Sequence, residues 1–239
     1  MKRGAGTSIL AGYPWFSDWG RDAMISLPGL CLSTGRIEEA KSCLRTFVTA
    51  SENGLVPNYF ADDGGPANDR SVDATLWAID AAGLLLDRGG DDARFVLDEL
   101  FPRFEKAFES WESGTAAHGV RIDADGWLRA GDGSAALTWM DARIGSVPVT
   151  PRGGRPIEIE ALFWRAMARL AAMMRRARQG EYQEKGARSR QASLGGLRAR
   201  LLAFRRGSLR RRDRRRRSPG QDDAPGIRSS RSRWRPSSS

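Results

Sequence analysis

Between Ala11 and Arg36 the chain reads AGYPWFSDWGRDAMISLPGLCLSTGR, which sets Tyr13, Trp15, Phe16 and Trp19 beside Asp18, Arg21 and Asp22. Aromatic faces are flat apolar platforms. Carboxylates accept and a guanidinium donates hydrogen bonds in fixed directions. Together they suit a pyranose ring, which has apolar faces and a rim of hydroxyls. The same residues also suit an aromatic core turn with a surface ion pair, because charges are common where helices start. Residue types alone leave both readings open.

Four further blocks carry aromatic and acidic side chains in a similar mixture. They are GLVPNYF (Gly54 to Phe60), SVDATLWAID (Ser71 to Asp80), LTWMDA (Leu137 to Ala142) and VTPRGGRPIEIEALFW (Val149 to Trp164). With WFSDWGRD and the helix that ends in STGR, the five blocks in this order resemble the C-terminal glucosidase domain of glycogen debranching enzymes, the amylo-α-1,6-glucosidase family. The resemblance covers roughly the first three quarters of the chain.

It implies a fold, an activity and a site. The family fold is an (α/α)6 barrel with an inner and an outer ring of six helices. The activity is hydrolysis of α-1,6 branch stubs in glycogen or related α-glucans, and no cofactor or metal is implied. Inverting glycoside hydrolysis needs a carboxylic acid to protonate the leaving oxygen and a carboxylate to activate water, roughly 6.5–9.5 Å apart. The resemblance gives the acid role to Asp141, with Trp139 beside it for sugar stacking. Read without the family, Asp141 is a solvated loop acid. Arg21 and Asp22 match the pair that binds the hydroxyls of the sugar at the cleaved end, and Asp18 and Trp19 are expected to line the same pocket. Asp73 and Trp77 fall in a matching block, although Asp73 also reads as a helix cap. Glu158 is a further pocket candidate; it and Glu160 equally fit acids at a helix start. No residue is assigned as the base, because the family's second carboxylate lies in closing helices that nothing after Glu181 resembles.

These residues need elements to hold them. Asp22–Leu32 reads as a buried helix kinked at Pro28 and stopped at Gly35. Ile37–Ala50 is amphipathic, with Ile37, Ala40, Leu44 and Phe47 on one face. Val72–Leu86 is apolar almost all round, the mark of a helix buried on most sides. Asp91–Trp111 follows with a bend expected at Pro102. Val120–Leu128 is a small hairpin around DADG, Gly131–Pro156 a long loop of the kind that is often functional, and Ile157–Arg178 the last helix. The class is all-α: about five helices and one β-hairpin, as part of a barrel.

The chain has 239 residues and a net charge of +10, unevenly spread. From Glu181 on, 18 Lys or Arg face 5 Asp or Glu, a net of +13; before that, 21 basic face 24 acidic residues, a net of −3. Residues 1–180 therefore read as the glucosidase portion, and 181–239 as an Arg- and Ser-rich tail too poor in apolar residues to fold. GC-rich coding DNA read out of frame yields such a composition, and a truncated glucosidase is the expectation. The rivals are a non-catalytic remnant and a nucleic-acid-binding arm that neutralises phosphates. Cys31 and Cys43 both fall in helical patterns, which fits small buried apolar side chains and a reducing cytoplasm. The lone histidine, His118, excludes a multi-histidine metal site, and no nucleophile-elbow sequence accompanies it. No run of about 18 apolar residues is present, so no membrane span is expected. An α-glucan is the expected partner, and nucleic acid only if the tail is genuine.

Overall fold

The computed structural model describes residues 1–4, 6–61 and 65–178. The basic segment 181–239, with its expected disorder and the domain boundary before it, lies outside the described residues. Within them the chain is mostly helical. A two-residue strand pair, β1 (Lys2–Arg3) and β2 (Gly6–Thr7), precedes α1 (Gly20–Leu27), α2 (Ile37–Thr49), α3 (Val72–Leu86), α4 (Gly90–Phe95) and α5 (Phe101–Ser113). Two more short hairpins follow, β3 (Val120–Ile122) with β4 (Leu128–Ala130) and β5 (Arg143–Ile144) with β6 (Val147–Pro148), all antiparallel. The chain then enters α6 (Ile157–Arg178).

Helix α3 is the centre. Thirteen of its fifteen residues are buried. It packs against α1 on one side and α6 on the other. Its first turn is fastened by Ser71, whose hydroxyl accepts the Ala74 N–H at 3.1 Å. That is the N-cap-to-N3 bond of a helix start. Outside this layer, α5 lays Trp111 edge-on against Phe163 of α6, with ring centroids 6.4 Å apart. The Trp111 indole donates to the Gly54 carbonyl at 3.1 Å. Phe47 of α2, Leu76 and Ile79 of α3 and Phe163 are fully buried. Removing a side chain of that size from a core typically costs about 2–5 kcal/mol.

Both prolines interrupt their helices. Pro28 opens a single π-helical turn, Pro28–Leu32, at the end of α1. A second π turn, Val96–Leu100, separates α4 from α5, and Pro102 sits in the first turn of α5. The break expected at Pro102 therefore lies upstream of it. A proline ring crowds the carbonyl four residues back, so the distortion falls in the preceding turn. Gly35 stops the first helical run with φ +77°. Its successor Arg36 donates back to the Cys31 carbonyl at 2.8 Å, in the manner of a left-handed C-terminal cap. Gly20 is required for another reason: a Cβ there would stand 2.1 Å from the Pro57 carbonyl oxygen. Only glycine lets α1 begin that close to the 54–60 segment.

The strand pairs β1–β2 and β5–β6 lie in stretches the sequence reading left as polar or loop. Two residues per strand are too few for an alternating pattern to show. No described helix is long and apolar enough to cross a membrane.

Candidate active site

Arg21 is the fixed point. It lies in the first turn of α1, is 8 % exposed, and donates in three directions. Its Nε bonds Asp73 Oδ2 at 2.8 Å, its Nη1 bonds Asp141 Oδ2 at 3.0 Å, and its Nη2 bonds the Thr138 carbonyl at 3.0 Å. A longer contact of 3.5 Å runs from Nη2 to Ser71 Oγ. Three segments far apart in sequence thus meet at one guanidinium: the start of α1, the start of α3 and the LTWMDA loop. Lysine, a point charge on a flexible stem, could not hold this fork. Burial alone would lower the Arg21 pKa, but Asp73 and Asp141 outweigh it and hold it above the ordinary value.

Asp73 is 2 % exposed. Besides Arg21, its Oδ1 receives the Ser71 hydroxyl and, at 3.1 Å, the Ala74 N–H. Burial pushes its carboxyl pKa up, against the pull of Arg21 and the Ser71 hydroxyl. The cap reading for Asp73 is thus shared: Ser71 is the N-cap, two residues earlier, and Asp73 accepts the same N–H. The signal for Ser71 was its place directly before the apolar run of α3.

Asp141 keeps 29 % of its side chain exposed, and Trp139, two residues before it, is 57 % exposed. Asp22 is exposed beside Arg21, where a negative charge also suits the start of α1. Trp19 is half-buried. Its ring lies 5.1 Å from Tyr59 and 6.1 Å, edge-on, from Phe16. Tyr13 and Trp15, by contrast, stand out into solvent.

Other candidate residues stand away from this surface. Asp18 is completely buried and held at 2.5 Å by both Arg3 Nε and Arg3 Nη2. Arg3 in turn lies over the Phe60 ring, 4.9 Å from its centroid. Asp18 therefore anchors the N-terminal hairpin rather than presenting a carboxylate to a ligand. Trp77 is half-buried and packs on the hydrophobic core. Glu158 is engaged by Arg152, whose Nε bonds Oε1 at 3.0 Å. Nothing in these contacts joins it directly to Arg21 or Asp141.

Residues that sequence reasoning passed over also belong near the cluster. Thr138 supplies the carbonyl for Arg21, and Asn58 accepts the Gly20 N–H through its backbone at 2.5 Å. His118 pairs with Asp69 at 2.7 Å, in keeping with its reading as a loop residue ahead of the hairpin. Among the described residues no group of three or more His, Cys, Asp or Glu side chains could hold a metal ion.

A partly exposed carboxylate held by a buried guanidinium, with an exposed indole beside it, has the chemistry of a carbohydrate site in a helical protein. The amylo-alpha-1,6-glucosidase family model matches residues 1–194, and the chain belongs to that family. It is also 28 % identical over 217 residues to the glycogen debranching enzyme of Saccharomyces cerevisiae. That match takes in 67 % of this chain and 14 % of the yeast protein's length.

Proposed function

We propose that the chain binds the glucosyl branch stub of an α-1,6-branched glucan, such as glycogen or a branched maltooligosaccharide, with Asp141 as the general acid. The observation that carries this reading is the direct Arg21–Asp141 contact, which puts the family's sugar-binding pair beside its acid. Arg21 holds Oδ2, so Oδ1 is the oxygen left to carry the proton. Asp22 and the remaining Nη1 hydrogen of Arg21 face hydroxyls of the terminal sugar, and Trp139 with Trp19 offers the apolar faces. The helices α1, α3 and α6, side by side, fit the inner ring of an (α/α)6 barrel, with α2 and α5 outside.

No residue of this chain takes the base role in this reading. A general base typically contributes about 10²- to 10⁴-fold, so the chain alone is expected to release glucose slowly. The experiment uses purified protein and an α-1,6-linked glucosyl oligosaccharide, measuring binding by calorimetry and glucose release beside an Asp141→Asn control. Measurable binding with release close to the control is the expected result. Turnover far above the control would reveal a base within the chain. Absence of binding would overturn the glucosidase reading and favour the non-catalytic remnant.

A further inference from the structure

Asp73 is the one candidate residue that touches the Arg21 cluster without reaching its surface. Its carboxylate has no room for a sugar: it is 2 % exposed and already accepts from Arg21, Ser71 and Ala74. Yet it is tied to the proposed acid through a single side chain. Arg21 spends its Nε on Asp73 and its Nη1 on Asp141. In a planar guanidinium these donors have fixed relative directions. Where Asp73 sits therefore decides how Arg21 is turned, and how Arg21 is turned decides where Asp141 Oδ2 is held.

We infer that Asp73 is a positioning residue: acting through Arg21, it sets the place of the Asp141 carboxylate in the cleft and makes no contact with substrate. The rigid partner is α3. Ser71 and Asp73 both belong to its capped first turn, and that helix is packed from both sides. Asp141 sits in the long loop before α6, where two-residue strands give little stiffness of their own. Arg21 carries the order of the helix into the loop, assisted by its bond to the Thr138 carbonyl three residues ahead of Asp141. The charge count supports the arrangement. One cation stands between two acids, so removal of the buried one leaves Arg21 wholly to Asp141 and changes that pairing.

This inference rests on the glucosidase reading for its meaning, but its test does not need turnover. Carbon-13 NMR of the full chain, with aspartate carboxyls labelled, follows Asp141 and Asp22, each assigned by its own Asn variant. In Asp73→Asn and in Arg21→Lys the Asp141 resonance moves, while that of Asp22, exposed on the same helix turn as Arg21, stays. Ser71→Ala removes only the hydroxyl on Asp73 Oδ1 and moves Asp141 the same way by less. If Asp73→Asn does not fold, Ser71→Ala decides. An Asp141 signal that stays put in the folded variant overturns the inference. Adding an α-1,6-glucosyl oligosaccharide separates the two ideas. Loss of a direct contact to a charged group weakens binding by about 10-fold or more. Asp22→Asn is expected to reach that loss and Asp73→Asn to fall short of it. A full loss in Asp73→Asn would make Asp73 a substrate contact instead. If nothing binds to the wild-type chain, the glucosidase reading fails, and the ligand-free spectra still judge the link from Asp73 to Asp141.

Discussion

Arg21 and Arg155 each hold two aspartates, Arg21 beneath the surface between two helices and a loop, Arg155 in water at the tip of a hairpin. Arg155 bonds Asp125 through both Nη atoms, at 2.8 and 2.6 Å, and Asp123 at 2.7 Å. Asp123 is shared with Arg129 and Arg121, at 3.1 and 3.3 Å. By distance the two clusters are equals. Their surroundings are not: the Asp73 side chain is 3 % exposed, whereas Arg155 keeps 33 % of its own. In water a charge that loses its partner is solvated again. Under the surface it is stranded, and the cost is several kilocalories.

The outer cluster holds one group in the inner condition. Glu160, in the first turn of α6, has both carboxylate oxygens enclosed and no hydrogen-bond partner among the described residues. Burial pushes its pKa up to about 7, Arg155 opposes this, and the nearby Asp125 and Asp123 add to it. Proximity to a well-formed ion network is thus no protection. What matters is whether a donor reaches the oxygen.

The comparison can be broken most severely at Arg21. Arg21→Met leaves Asp73 buried without its cation and should cost about 3–5 kcal/mol of stability, read as a lowered denaturant midpoint. A loss under about 1 kcal/mol would mean the inner cluster behaves like a surface pair. Glu160 sharpens the middle ground. Its folded pKa, about 7, lies above the ordinary 4.5, so the folded state holds this proton more tightly than the unfolded chain does. The stabilisation is complete below about pH 4.5 and fades as pH rises through 7. Glu160→Gln should remove that slope and gain on the order of 1–2 kcal/mol at pH 8, after allowing for partial solvation. Unfolding curves at pH 5 and pH 8 check both. The smallest effect belongs to Arg155→Ala: about 0.2–1 kcal/mol, shrinking further in 1 M salt. An effect as large as that of Arg21→Met would erase the distinction between the regions.

Much of the helical frame was legible in the sequence. Val72–Leu86 and Ile157–Arg178 run over the spans that their apolar patterns mark, and Ile37–Thr49 ends one residue early. A long periodic face is a strong signal because burial of that face forms the helix. The pairings within the candidate site were not legible. Arg21 and Asp73 are 52 residues apart, Arg21 and Asp141 are 120 apart, and no local pattern joins them. Family resemblance named the side chains as candidates but not the bonds between them. It also grouped Asp18 with the pocket. Its partner Arg3 lies in a two-residue strand that no periodicity could reveal, and that pairing takes Asp18 out of reach.

The central claim is that the Arg21–Asp141 cluster, with its flanking indoles, is where a glucosyl unit docks. Its most direct test follows the tryptophan indole N–H signals by nitrogen-15 NMR during titration with an α-1,6-glucosyl maltooligosaccharide. The Trp19 and Trp139 signals are predicted to shift together and saturate, while Trp111, whose indole is bonded to Gly54 in the core, stays fixed. Saturating shifts confined to other tryptophans, with Trp19 and Trp139 unmoved, would contradict the account.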